Sequence, residues 1–199
     1  MKAALAGVTL FLLALETVAN AQSANGTYGP KLEPQAMGSK YNPLLWQGED
    51  AKFAVDTIHS SYCTSEISKF VAANTANKAV QNMAFTAAYD QERIFKSLRS
   101  MAKTLDFPMP AKHALEDCPA TARMKELTGH ELDTSYLSFL SEASATDVSR
   151  FESELEMTRG PSNWTLWGFA QKTLPALRAD AASVESLQIS VARSKAAHQ

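Results

Sequence analysis

Apolar residues recur at helical spacing along four long segments of the chain, about 49–74, 78–105, 131–158 and 163–193. In the second segment the apolar positions follow one another at steps of three, four or seven, as on one face of a helix: Val80, Ala84, Ala87, Ile94, Leu98, Met101 and Leu105. A shorter helical stretch, about 111–127, links the second and third segments. No alternating strand pattern of useful length appears, so we predict an all-α fold.

The connections between these segments are short and contain helix-ending residues. Pro108 and Pro110 follow the second segment, and Gly160-Pro161 follows the third. Pro175 falls inside the fourth segment, where it removes a backbone donor and predicts a kink. Four long amphipathic helices with short connections favour an antiparallel four-helix bundle, with a short extra helix between the second and third long ones.

The first 21 residues have the pattern of a cleaved secretory signal. Lys2 precedes an apolar run from Ala3 to Leu15, and Ala19-Asn20-Ala21 fits the small-x-small cleavage pattern. The run is shorter than the ~20 residues that span a bilayer. We therefore expect a mature chain that starts near Gln22 and resides in the periplasm or outside the cell. An uncleaved N-terminal anchor is the alternative.

Composition divides the rest of the chain into three parts. Residues 22–48 are rich in Gly, Pro, Ser and Asn and show no apolar period, which predicts a flexible leader. The helical bundle then occupies residues 49–193, and residues 194–199 form a C-terminal tail. A formal charge of −2 does not indicate a protein that binds nucleic acid or acidic lipid, since such proteins usually present a basic surface. No later segment is apolar and long enough to cross a membrane, so we expect a soluble mature protein, with association with the cell envelope left open.

The chain has two cysteines, Cys63 and Cys118. In an exported protein an even pair favours a disulfide, which on a loop-entropy model would add about 4 kcal/mol. In an antiparallel bundle the first helix begins at the end where the second one finishes, so the two cysteines can meet. The alternative is a zinc site, because His59 stands four residues before Cys63 and His113 lies close to Cys118.

The usual catalytic constellations are absent from the sequence. There is no Gly-x-Ser-x-Gly elbow, no phosphate-binding glycine loop and no His-Glu-x-x-His pair. A di-iron bundle requires two inward Glu-x-x-His pairs, and the nearest match, Asp56-x-x-His59, occurs once. We therefore expect a non-enzymatic protein.

Each long helix carries one polar residue in line with its apolar stripe. These residues are Glu66, Gln91, Ser144 and Asp180. One interpretation is that they bond to each other, to backbone or to water, because an unmet buried polar group costs about 1–3 kcal/mol. The other is a shared inner site that binds a hard cation through oxygen ligands.

A second set of residues resembles a known family. Gly129-x-x-Leu132-Asp133-x-x-Tyr136 resembles the Gly-x-x-Phe-Asp-x-x-Tyr signature of a bacterial exported family, the domain of unknown function 4142, whose members are often described as outer-membrane or periplasmic proteins. The resemblance extends over about 56–187 and implies a ferritin-like helical arrangement. Further matches in order along the chain are Glu66, Ala102 and Leu174-Pro175-x-Leu177.

The departures from this family fall on the stripe positions. Typical members have a histidine where this chain has Gln91, another where it has Ser144 and a third where it has Asp180. The resemblance therefore implies a divergent member in which a former metal site persists as a polar cluster. We expect an exported helical-bundle protein with a binding or envelope-associated role. The alternative is a metal-binding or metal-storing protein that uses the cluster in the bundle core.

The signature also contains helix-boundary signals. Gly129 is suited to a left-handed helix cap, since glycine adopts positive φ without steric cost. Thr128 and Glu131 have the spacing of a capping box, which predicts reciprocal side-chain bonds at the start of the third long helix.

Overall fold

The computed structural model describes residues 48–104, 109–157 and 164–196. Within these ranges it has no strand and six helices: α1 (Glu49–Asn74), α2 (Lys78–Thr104), α3 (Lys112–Glu116), α4 (Pro119–Lys125), α5 (Gly129–Glu156) and α6 (Trp164–Ala196). The prediction of an all-α chain is confirmed, and the four long helices end close to their predicted bounds. The stretch predicted as one short helix is two, because Asp117 and Cys118 interrupt it.

Several sequence predictions concern residues outside the described part. The signal peptide of residues 1–21 and the leader of 22–48, apart from Gly48, lie there. They remain predictions, as does the division into domains. The first three residues of the predicted tail, 194–196, belong to α6, which also continues through Pro175. Among the described residues, no helix is both long and apolar enough to span a membrane.

The long helices pack as two hairpins, with α1 at the centre. The three residues Thr75–Asn77 join α1 to α2, and Asn77 caps α2 by accepting a hydrogen bond from the Ala79 amide at 3.0 Å. Helix α5 packs against α6, and α1 also contacts α3, α4 and α5. As a result α1 is buried on most of its circumference.

The apolar core consists of two clusters at different heights of the bundle. The first gathers the beginning of α1 with the end of α2, the end of α5 and the first half of α6, including Phe53, Leu98, Phe151 and Leu174. The second gathers the end of α1 with the beginnings of α2 and α5 and the later part of α6, including Val71, Val80, Leu137 and Val184. Between the clusters the helices contribute polar residues to the interior.

The family-like signature attaches α5 to α1. Leu132 and Tyr136 are fully buried, and the Tyr136 hydroxyl forms a hydrogen bond with the Ser68 hydroxyl at 2.9 Å. Asp133 is also buried and accepts a hydrogen bond from the Thr75 hydroxyl. The signature thus fixes how the start of α5 sits against the end of α1.

The boundary signals at this point are correct only in part. Gly129 has φ of 55°, as a left-handed cap requires. It does not close the short helix, however, because α4 ends at Lys125 with Glu126 as its C-cap, and Gly129 is the first residue of α5. The capping box is wrong, because Thr128 forms no side-chain hydrogen bond to the start of α5.

The bond between Thr75 and Asp133 yields a test of this attachment. Thr75→Val keeps the side-chain shape but removes the donor to a buried carboxylate, and it also removes the acceptor of the Asn77 amide. We expect the free energy of unfolding to fall by about 1–3 kcal/mol, measured by urea denaturation. Thr146→Val is the matched control, because the exposed Thr146 hydroxyl bonds only within its own helix. Equal changes in both variants would show that the buried bond contributes nothing.

Candidate functional site

A layer of polar side chains lies between the two apolar clusters. It begins on α1 just after Ile58, the last α1 residue of the first cluster, and ends before Ile67, the first α1 residue of the second. Gln91, Ser144 and Asp180 occupy the same interval on α2, α5 and α6. Glu66 lies in the corresponding interval of α1, so all four predicted stripe residues are at one height of the bundle, but only Gln91, Ser144 and Asp180 are buried or half-buried there.

Asp147 on α5 is the centre of this layer. It is 1% exposed. Its Oδ1 accepts hydrogen bonds from the Ser60 hydroxyl at 2.9 Å and from the Arg150 guanidinium at 2.7 Å. Its Oδ2 accepts one from the Gln91 amide at 3.3 Å. A single carboxylate thereby joins α1, α2 and α5.

The environment of Asp147 has opposing effects on its ionisation. Burial raises the pKa of the carboxyl above its usual value, since the charged form loses solvation. The positive charge of Arg150 and the hydrogen bonds from Ser60 and Gln91 act against that rise. The negative charge on Asp147 is therefore stabilised by these three partners, each of which bonds to its carboxylate.

Gln91 and Ser144 are both buried, as their stripe positions predicted. Gln91 donates to Asp147, and its Oε1 is buried with no hydrogen-bond partner among the described residues. Ser144 lies one turn before Asp147 on α5, toward the second apolar cluster.

Asp180 lies on α6 and is half-buried. Burial raises the pKa of its carboxyl, and the negative charge of Asp90 on α2 raises it further, while Arg93 acts in the opposite direction. Asp90 and Arg93 form an ion pair of their own at 3.3 Å. Asp180 is thus in electrostatic contact with α2, at the edge of the polar layer.

Glu66 does not face the bundle axis, and the prediction that it does is wrong. Its side chain is 45% exposed and pairs with Lys69 at 2.9 Å. Lys69 in turn pairs with Glu92 of α2 at 3.3 Å. Tyr62 and Phe70, the stripe neighbours that suggested an inner position, are themselves only half-buried. Their line runs along the rim of the α1–α2 contact, and Glu66 on it reaches solvent.

The donor set of the layer fits a hard cation poorly. The unpartnered Gln91 Oε1 is the type of oxygen that such an ion takes as a ligand. The Asp147 carboxylate, however, already has the Arg150 guanidinium against one oxygen. An incoming cation would have to displace that positive charge or sit beside it. The arrangement is better suited to joining helices than to binding a metal ion.

Sequence reasoning missed Asp147 and Glu154, although a periodic signal for both was present. Asp133, Leu140, Asp147 and Glu154 follow one another at seven-residue steps on α5, and all four are buried. Seven residues are close to two helical turns, so these side chains share one face. Only polar residues in line with apolar stripes were considered as inner groups, and buried carboxylates are rare enough that this period of charged residues does not by itself indicate burial.

Glu154 is the third carboxylate on that face of α5 and is fully buried. It lies one turn beyond Phe151, whose ring packs against Phe53 with centroids 5.0 Å apart. Burial raises the pKa of Glu154 to about 7. Its ionisation in the folded protein therefore occurs near neutral pH.

The shifted pKa of Glu154 predicts a pH-dependent stability. Below about pH 4.5 the folded and unfolded states both hold the proton, and as pH rises toward 7 only the folded state does, so stability falls. Urea unfolding at pH 5 and pH 8 should show a loss that is larger in the wild type than in Glu154→Gln, by roughly 1–3 kcal/mol. The exposed Glu142→Gln variant should behave as the wild type. An identical pH dependence in all three proteins would contradict the shifted pKa.

A second constellation involves α1 and the short helices. Cys63 and Cys118 form a disulfide with a Cα–Cα distance of 5.7 Å, which confirms the predicted pairing. The His59 Nε2 lies 3.0 Å from the Asp117 carbonyl oxygen, to which it can donate a hydrogen bond, and 3.7 Å from Cys63 Sγ. The disulfide and the His59–Asp117 hydrogen bond together attach the α3–α4 connection to the middle of α1.

Comparison with known proteins matches the chain to a family of unknown function. A family model described as a domain of unknown function, DUF4142, matches residues 36–187. No curated protein and no solved structure matches the chain. The matched range includes the polar layer, the disulfide and the signature that attaches α5 to α1.

Proposed function

The chain belongs to the DUF4142 family of domains of unknown function, and from that premise we propose that it is an exported helical-bundle protein with a non-enzymatic, binding or envelope-associated role. It works in the periplasm or outside the cell. The observation that carries the proposal is the disulfide between Cys63 and Cys118. Structural disulfides persist in oxidising compartments and are rare in reducing ones.

The position of the disulfide supports a structural purpose. It closes a loop of 55 residues, and on a loop-entropy model such a closure adds about 4 kcal/mol. Helix α3 has five residues and α4 has seven, which is too short for either to be stable without tertiary contacts. A covalent bond to α1 compensates for that weakness. The N-terminal pattern of Lys2, the apolar run and Ala19-Asn20-Ala21 is the expected export signal.

The proposed arrangement of the bundle is ferritin-like. Two helical hairpins, α1–α2 and α5–α6, pack around a shared interior, and the linker between them carries two short helices. Helices α1 and α5 are antiparallel. Ser60, earlier on α1, bonds to Asp147, later on α5, whereas Ser68 bonds to the earlier Tyr136. Antiparallel hairpins of this kind are the building units of such bundles.

The interior polar groups support a non-enzymatic role. Asp147 is engaged by three side chains, and Asp133 and Tyr136 each bond to a hydroxyl group of the α1 region. Groups committed in this way stabilise helix contacts rather than present a reactive atom to a substrate. A surface feature of α2 supports a binding role instead. Phe85 and Tyr89, one turn apart, are 59% and 69% exposed.

Export and oxidation can be tested together in a bacterial host. The full-length chain should be recovered from the periplasm or the medium as a mature form that begins near Gln22. After denaturation without reductant, thiol counting should find no free cysteine. Reduction should lower the free energy of unfolding by up to about 4 kcal/mol. Mass spectrometry, fractionation and urea denaturation provide these measurements.

Leu12→Arg supplies the matched control, because a charge interrupts the apolar run of the export signal without altering the bundle. This variant should stay in the cytoplasm with two free thiols. A wild-type chain found uncleaved in the cytoplasm, with both thiols free, would overturn the proposal.

The alternative function is metal binding or storage through the inner cluster. One observation favours it: the unpartnered Gln91 Oε1 in a layer that also contains Ser144 and Asp180. Under the main proposal the purified mature protein contains no stoichiometric metal. Under the alternative, metal analysis finds a bound ion that Gln91→Ala or Asp180→Ala removes. Glu66→Ala is the control, since the exposed Glu66 carboxylate lies outside the layer and its loss should leave any such ion in place.

A further inference from the structure

The disulfide lies beside an imidazole on the same face of α1. One ligand atom each from His59, Cys63 and Cys118 can be chosen such that all three lie within 4.8 Å of one another. His59 and Cys63 are buried, and Cys118 is half-buried. Two sulfurs and an imidazole nitrogen form a common ligand set for zinc. From this geometry we infer that reduction of the Cys63–Cys118 bond creates a three-ligand site for Zn²⁺.

Distances at the site support this inference. In a tetrahedral zinc site with Zn–S of about 2.3 Å and Zn–N of about 2.0 Å, the sulfur and nitrogen ligands stand about 3.5 Å apart. The observed distance between Cys63 Sγ and His59 Nε2 is 3.7 Å. The Cα atoms of the two cysteines are 5.7 Å apart, so side-chain rotation alone can bring two released sulfurs to the ~3.8 Å that zinc requires.

The conversion from disulfide to metal site is a balanced two-electron step. A dithiol reductant donates two electrons and two protons to the Cys63–Cys118 bond, and it closes its own disulfide while the S–S bond breaks and two thiols form. Zn²⁺ then binds as both thiols release their protons to solvent. His59 Nε2 must give up its hydrogen bond to the Asp117 carbonyl, and the proton moves to Nδ1. The described residues supply three ligands, and water can take the fourth position.

This site differs in kind from the polar layer. The layer offers oxygen ligands and a resident guanidinium, whereas the cysteine site offers sulfur and imidazole, which prefer zinc and related borderline or soft ions. A metal in the layer would bind whether or not the disulfide is present. A metal at the cysteine site requires its reduction. The inference therefore stands independently of the proposed function.

The test uses the mature full chain and Co²⁺ as a spectroscopic probe for zinc. A water-soluble phosphine reduces the disulfide and is oxidised to its phosphine oxide with an oxygen atom from water. The reduced protein should bind one Co²⁺ per chain, with thiolate-to-cobalt charge-transfer absorption and tetrahedral d–d bands, and zinc should displace it. The oxidised protein should show neither absorption.

His59→Gln separates the three-ligand site from a simple dithiol. Its amide can still donate to the Asp117 carbonyl, so the local fold is kept while the imidazole is lost. Loss of a direct ligand should weaken Co²⁺ binding by at least the ~10–100-fold that loss of an outer partner costs. His130→Gln, at an exposed histidine, should leave binding unchanged. Circular dichroism verifies that each protein is folded.

Three results would overturn the inference. The first is a folded, reduced protein that binds no Co²⁺. The second is equal binding by the oxidised and reduced forms, which would locate the metal elsewhere. The third is unchanged affinity in His59→Gln, which would leave two thiols as the whole site.

Discussion

The packing of the bundle depends on hydrogen bonds between the polar side chains of one buried helix and the helices around it. Helix α1 is enclosed by α2, α3, α4 and α5, and its middle is rich in serine and threonine. A buried hydroxyl without a partner costs free energy. Three hydroxyls of α1 have partners on neighbouring helices, whereas those of Thr57 and Ser61 have none among the described residues. Ser60 bonds to Asp147, Ser65 donates to the Ala88 carbonyl, and Ser68 bonds to the tyrosine of α5. These bonds set the rotation and register of α1 against α2 and α5.

The same constraint explains why the interior has a polar layer between two apolar clusters. A continuous apolar core would leave the Ser60 hydroxyl without an acceptor, whereas Asp147 at the same height accepts its hydrogen bond and a second one from the Gln91 amide. Arg150 then reduces the cost of burying the carboxylate. Of the stripe residues at this height, Gln91 is part of this hydrogen-bonded network.

Adjacent residues of α1 serve two different environments. His59 faces the disulfide and the α3–α4 connection, while Ser60 faces the polar layer, because successive helical residues point about 100° apart. One buried helix can therefore carry a sulfur–imidazole cluster and an oxygen-rich layer side by side. The short linker helices are secured on the first of these sides, and the two helical hairpins are joined on the second.

The helices, their approximate ends and the cysteine pairing could be predicted because they follow from local periodicity and from the count of two cysteines. The burial of Gln91 and Ser144 followed for the same reason, since α2 and α5 each have a definable inner stripe. Which side of α1 faces the axis was decided by tertiary structure alone. A helix buried nearly all round has no single apolar face, so periodicity placed Glu66 inside, whereas packing turned it to solvent. The burial of Asp147 was likewise decided by packing, because the three side chains that bond to its carboxylate come from three different helices.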